Sequence, residues 1–245
     1  MCRRLFALLP WFTFCLVVAQ LFLGPALVPA EQKTVLPAPQ TEAWWTERHE
    51  RAVSRVRRAH VDLLFIGDSI TQGWEEEGRR VWDAYYGHRQ AVNLGFNGDC
   101  TENVLWRLQQ GELAGIAPKL AVVMIGTNNT GIRQDPPAET AAGIEAILAT
   151  LHARLPHTKI LLLAVFPRRA SADDPLRRIN AAINDRLRAL ADRHRVFFLD
   201  LGPRFLDGQG RLSEDVMPDA LHPSEQGYRL WAEGMEDMIR TLLEE

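Results

Sequence analysis

Four short segments of this chain carry residue types that together could open an ester. They are Gly67-Asp68-Ser69-Ile70, Gly95-Phe96-Asn97-Gly98-Asp99, Gly126-Thr127-Asn128-Asn129 and Asp219-Ala220-Leu221-His222-Pro223. A serine hydroxyl is a weak nucleophile at neutral pH. It needs a base to take its proton, and the oxyanion formed by its attack needs preorganised donors. Ser69 offers the hydroxyl and His222 the base; Asp219, three residues earlier, can orient the imidazole through one ring nitrogen. Asn128 can give a side-chain N–H, while Gly98 and Ser69 can give backbone N–H groups. Each feature alone has a plainer reading. A serine after Gly-Asp forms turns or caps helices, and Gly and Asn supply turn geometry. Asp219 and His222 could simply cap a final helix with Pro223 at its first position. The joint order of the four segments is what points to chemistry. Position 71 is Thr, so Ser69 does not lie in a G-x-S-x-G elbow, which argues against an α/β-hydrolase fold.

Such residues need a scaffold, and the apolar pattern describes one. Five strand-like runs occur at Val61–Ile66, Gln90–Leu94, Leu120–Ile125, Lys159–Val165 and Val196–Leu201. Several are almost continuously apolar, as expected for strands covered on both faces. Helical patterns lie at Thr41–Arg58 (with Thr41 as its cap), Thr101–Gln110, Ala138–Arg154, Asp174–His194 and Pro223–Leu243. Alternating strands and helices with right-handed crossovers predict a three-layer α/β/α sandwich around a five-stranded parallel sheet. Ligands of such sheets bind at the C-terminal strand ends. The first three segments follow strands one, two and three, so all four can converge on one edge.

The 245 residues are 47% hydrophobic and 24% charged, with a formal net charge of −3. This suits a globular chain and excludes collagen, coiled-coil rods and wholesale disorder. No long basic stretch occurs, so nucleic acid is not an expected partner. The cysteines Cys2, Cys15 and Cys100 show no CxxC spacing, and the histidines form no HExxH pair. Neither a metal centre nor a redox motif is therefore expected. Arg3 and Arg4 precede 26 uncharged residues, 5–30, ending in Val28-Pro29-Ala30. That is export-signal grammar, with an uncleaved membrane tether through residues 5–30 as the alternative. Residues 1–30 read as the signal, 31–40 as a linker and 41–245 as one catalytic domain. Removing 1–30 leaves 26 basic against 31 acidic residues, a net −5.

The four segments resemble the blocks of the GDSL, or SGNH, hydrolases: Gly67-Asp68-Ser69, Gly98, Asn128 and His222. The chain is most similar to the intracellular platelet-activating-factor acetylhydrolase catalytic-subunit branch. Leu64-Phe65-Ile66-Gly67-Asp68-Ser69, Asn93-Leu94-Gly95, Val104-Leu105-Trp106-Arg107-Leu108, Gly111-Glu112-Leu113, Gly126-Thr127-Asn128-Asn129, Gly143-Ile144-Glu145-Ala146-Ile147, Pro167-Arg168 and Asn180 carry that likeness. The resemblance implies a flavodoxin-like fold, cofactor-free ester hydrolysis and a homodimer. It makes Ser69 the nucleophile, His222 the general base and then acid, Asp219 its orienter, and Ser69, Gly98 and Asn128 the oxyanion hole. The branch has Thr where this chain has Cys100. The expected substrate is a small-molecule or glycan ester, most simply an acetylated carbohydrate or an acetylated lipid. A lysophospholipase or thioesterase, or a non-catalytic binding module, are the alternatives.

Three further features carry more than one reading. Trp44 and Trp45 could line the cleft, mediate a dimer or pack over the sheet. Arg168-Arg169 could edge the site or lie in a solvated loop. Cys100 could be a reactive thiol or a small buried filler.

Overall fold

The computed structural model describes residues 33–244. The signal expected at 1–30, and any tether through 5–30, lie outside the described residues.

Five strands form: β1 (Leu63–Gly67), β2 (Ala91–Gly95), β3 (Leu120–Met124), β4 (Lys159–Leu163) and β5 (Val196–Leu199). All pair in parallel, in the spatial order β2-β1-β3-β4-β5. The chain steps from β1 to β2 on one side, then crosses back to β3 on the other. This reversal opens a crevice at the C-terminal ends of β1 and β3.

Eight α-helices join and cover the strands: α1 (Ala43–Arg58), α2 (Ser69–Gln72), α3 (Arg79–Tyr85), α4 (Thr101–Arg107), α5 (Thr127–Ile132), α6 (Pro137–Arg154), α7 (Pro175–Arg188) and α8 (Glu225–Leu243). Successive strand side chains point to opposite faces. Leu64, Ile66, Val92, Leu94, Ala121 and Val123 pack with Val56, Val104, Ile144 and Ile183 of α1, α4, α6 and α7. Leu63, Phe65, Leu120, Val122 and Met124 pack with Val81 and Trp82 of α3 and with Tyr228, Trp231 and Met235 of α8. Two cores on the two faces of one sheet give the expected α/β/α sandwich.

Several boundaries differ from the sequence expectation. Glu42, not Thr41, is the residue before α1, and it makes no side-chain cap. The helix expected at Asp174–His194 ends at Arg188, and Asp174 caps it by accepting from the Leu176 N–H at 2.8 Å. α8 starts at Glu225 rather than Pro223 and is capped by the Ser224 hydroxyl, which accepts from the Gly227 N–H. The segment read as a linker is fastened to the domain: Thr34 is buried, and its hydroxyl donates to Glu139 O at 2.8 Å.

Candidate active site

β1 ends at Gly67, where a Cβ would sit 2.2 Å from Thr71 Oγ1 and 2.4 Å from Met124 O. Only glycine lets the next turn fold this tightly back onto the sheet end. Asp68 then caps α2, its side chain accepting from the Ile70 N–H at 3.0 Å. Ser69 is therefore the first residue of a helical turn, and its N–H is among those with no intrahelical partner. The turn is held from two sides. Tyr228 Oη donates to Ile70 O at 2.7 Å, and Asn93 Nδ2 donates to Thr71 O at 3.0 Å. Burial pushes the Asp68 carboxyl up to about 7, with the Ile70 N–H opposing and the nearby Asp99 adding to the rise.

The last loop meets this turn. Ser69 Oγ lies 2.9 Å from His222 Nε2, and His222 Nδ1 lies 2.6 Å from Asp219 Oδ2. A carboxylate only accepts, so the proton belongs on Nδ1 and the Nε2 lone pair faces the Ser69 hydroxyl. Asp219 Oδ1 also accepts from the backbone N–H groups of Leu221 and His222, at 3.0 and 2.7 Å. Partial burial opposes ionisation of Asp219, but the bonds from the His222 ring and backbone hold its carboxyl below the ordinary range. Because Ser224 caps α8, Asp219 and His222 are not consumed as helix caps.

The other two segments carry Gly98 and Asn128. Gly98 has φ +75°, a left-handed backbone that suits glycine. Gly126 has φ +126° and turns β3 into α5, which carries Asn128. Asn128 is buried, and its Nδ2 donates to Asp99 O at 2.9 Å. That bond ties α5 to the Asp99–Cys100 peptide, one residue beyond Gly98. A cleft of about 250 Å³ opens beside Ser69 and His222, with Gln72, Glu76, Asn97 and Tyr228 among its walls. A separate groove of about 190 Å³ along α1, with Arg48, Arg51 and Arg55 in its wall, is not lined by Ser69 or His222.

The features with competing readings now separate. Trp45 is fully buried and packs at 5.8 Å from Phe96 and 5.3 Å from Trp106, while Trp44 is exposed. Arg168 is buried and donates to Thr127 O and Oγ1 at 2.8 and 3.2 Å, whereas Arg169 is exposed. Cys100 is buried and burial pushes its thiol up to about 12, as a filler rather than a reactive thiolate.

Sequence reasoning missed the groups beneath the site. Arg107 is fully buried, stacks 3.8 Å from the Phe96 ring centre, and donates to Asp99 Oδ2 at 2.8 Å, to Leu94 O at 3.1 Å and to Glu112. Its one signal was an arginine within the apolar run Val104-Leu105-Trp106-Arg107-Leu108. Asn93 stood only within the resembling segment Asn93-Leu94-Gly95, with nothing to show its bond to Thr71 O, and Tyr228 gave no signal, since its partner Ile70 O is far away in the chain.

This geometry has relatives. Over 216 residues, the chain is 34% identical to platelet-activating factor acetylhydrolase IB subunit alpha1 from Bos taurus, covering 88% of this chain and 90% of the relative. Over 223 residues it is 35% identical to the alpha2 subunit from Rattus norvegicus, covering 91% and 93%. In fold it is similar to an acetylxylan esterase from Geobacillus stearothermophilus, with a TM-score of 0.59 at 22% identity over 72% of this chain and 93% of that one. Residues 65–230 match the GDSL-like Lipase/Acylhydrolase family, a span that holds Ser69, Gly98, Asn128, Asp219 and His222. The chain belongs to that family and is a carboxylic ester hydrolase.

Proposed function

We propose that the chain is a serine esterase that removes short acyl groups, chiefly acetyl, through an acyl-enzyme. His222 takes the Ser69 proton as Oγ attacks the ester carbonyl. The resulting oxyanion is stabilised by the Ser69 and Gly98 N–H groups and by the Asn128 amide. His222 then gives its proton to the departing alcohol. It next activates a water that cleaves the acyl-serine, releasing the acid and restoring the serine. Asp219 keeps the imidazole in its tautomer throughout. The observation that carries this reading is the continuous Asp219–His222–Ser69 line, at 2.6 and 2.9 Å.

The small cleft supports a short acyl group, and the names of the curated relatives support acetyl. For the alcohol portion we favour an acetylated carbohydrate. Gln72, Glu76, Glu77 and Asn97 offer hydrogen-bonding walls, and two carboxylates there are ill suited to a phospholipid phosphate. The uncharged stretch 5–30 after Arg3 and Arg4 supports export, where polymeric glycans are met.

Ser69→Ala is the direct test. It should abolish p-nitrophenyl acetate hydrolysis while the circular dichroism spectrum stays that of the parent; retained activity would overturn the mechanism. On the parent, nitrophenyl esters of increasing chain length should be cleaved progressively more slowly. A preference for long chains would overturn the acetyl assignment. Acetate release compared over acetylated xylan, acetylated amino sugars and acetylated phospholipids then identifies the alcohol.

A further inference from the structure

The segment before α1 crosses the domain as a strap that ends on the loop carrying Gly98. Thr34 O accepts from Thr101 Oγ1 at 2.9 Å. Four residues on, the Ala38 N–H donates to Glu102 O at 3.1 Å, and Ala38 O accepts from Asn103 Nδ2 at 3.0 Å. With the strap fixed at these points, Gln40 arrives over Asn97-Gly98-Asp99. Its Nε2 donates to Asn97 O at 3.0 Å and to Asp99 Oδ1 at 2.7 Å, bracketing Gly98 from both sides. No Cβ stands between them, and one built on Gly98 would lie 3.5 Å from Gln40 Nε2.

The same tripeptide is gripped from the domain side. Asp99 Oδ1 also accepts from Trp45 Nε1 at 2.7 Å, Asp99 Oδ2 accepts from Arg107, and Asp99 O accepts from Asn128. On the solvent side Asn97 is exposed, and its carbonyl is held by Gln40. A glycine in a left-handed conformation has a wide range of alternative backbone angles. Without a clamp on the outer peptide, the Gly98 N–H can rotate away from the point where charge develops, while Asp99 stays fixed below. The aim of an oxyanion donor matters because its contribution depends on a preorganised position rather than on its mere presence.

We propose that Gln40 is a positioning residue for the oxyanion donor Gly98, acting through the Asn97–Gly98 peptide and the Asp99 side chain. This rests on the esterase reading of the site. It also makes the strap before the first helix, rather than the α/β/α sandwich alone, a condition of full activity.

The experiment uses the full chain with Gln40→Ala, the isosteric Gln40→Glu and the donor-restoring Gln40→Lys. In Gln40→Glu a carboxylate faces Asn97 O and the Asp99 carboxylate, so repulsion replaces both bonds. On p-nitrophenyl acetate, kcat of the Ala and Glu variants should fall about tenfold, less than loss of a whole donor. KM should stay within about twofold, since the donor acts on the transition state. Gln40→Lys should recover most of the loss. Amide hydrogen exchange in the 96–101 segment should be faster in the Ala and Glu variants, with the melting temperature unchanged because Gln40 is only half-buried. A kcat within about twofold of the parent in both variants, or unchanged exchange in 96–101, would overturn the proposal. An inactive parent would overturn the esterase reading instead, and the exchange rates would still decide whether Gln40 holds the loop.

Discussion

The loop that carries Ser69 and the loop that carries His222 are held by different means. Asp68, Ile70 and Thr71 are buried, and the turn they form is pinned by Tyr228 from α8 and by Asn93 from β2. Below it, Arg107 joins the ends of β1 and β2 from inside the core. The side chains of His222 and Asp219 are instead 43% and 55% exposed. Their loop is organised by local bonds: Asp219 accepts two backbone N–H groups, Ala220 adopts φ +56°, and Ala220 O accepts from the Arg169 N–H at 2.8 Å. Ser69 is thus placed by the global packing of the domain, and His222 by a short hydrogen-bonded turn at its surface. Damage to the first loop should register as lost stability. Damage to the second should register almost wholly as lost activity.

Asp219→Asn breaks the surface side of this contrast most strongly. An amide there can donate to Nδ1, which moves the ring proton to Nε2 and turns it toward Ser69. On proposed roles, kcat should fall about 10³- to 10⁴-fold. The melting temperature should barely move, because the backbone N–H groups of Leu221 and His222 keep an acceptor. A comparable loss of thermal stability would erase the distinction between the two loops.

Arg107→Met tests the buried side. It leaves Asp99 and Glu112 buried without their cation, a defect that typically costs about 3–5 kcal/mol. For a domain of this size, each kcal/mol lowers the melting temperature by about 2–4 °C. Calorimetry should therefore show a drop of roughly 10 °C. A variant as stable as the parent would mean that the Arg107 cluster does not hold the strand ends together.

The smallest effect is a pH dependence of the buried loop. Asp68 is raised from its ordinary value to about 7 by burial, so the native state keeps a proton that the unfolded chain releases. Stability should then fall as pH rises from about 4 to about 7, by on the order of 3 kcal/mol from this group alone. Asp99, raised to about 6 chiefly by burial, adds a fall of the same sign. Asp68→Asn retains an acceptor for the Ile70 N–H but has no proton to lose. Denaturation at pH 4.5 and 7.5 should show the variant losing less stability than the parent over that interval. Equal losses would place the pH sensitivity elsewhere.

All five strands were legible in the sequence because a buried strand is a local run of apolar residues, readable without knowing its neighbours. The four loop segments were legible for a related reason. Parallel strands separated by helices must bring their C-terminal ends to one edge, so order along the chain implies proximity in space. Helix termini were less legible. Thr41 and Pro223 have the right chemistry for starts, but the chain straightens elsewhere: Gln40 and Thr41 are committed to the strap, and the turn holding His222 extends α8's approach to Ser224. The short α2, α3 and α5 were missed because one or two turns make no periodic pattern.

The order of residues is enough to specify the sheet, its two apolar faces and the succession in which Ser69, Gly98, Asn128, Asp219 and His222 come to its edge. Those follow from local polarity and from the handedness of the chain. It is long-range packing that buries Trp45 against Phe96 and Asp99 while Trp44 faces solvent, puts Arg168 inside, and carries Gln40 across 57 residues of chain to Asn97. A hydrogen bond between distant residues leaves no periodicity in either partner's neighbourhood. It exists because the packing of many other side chains happens to set two backbones a few ångströms apart.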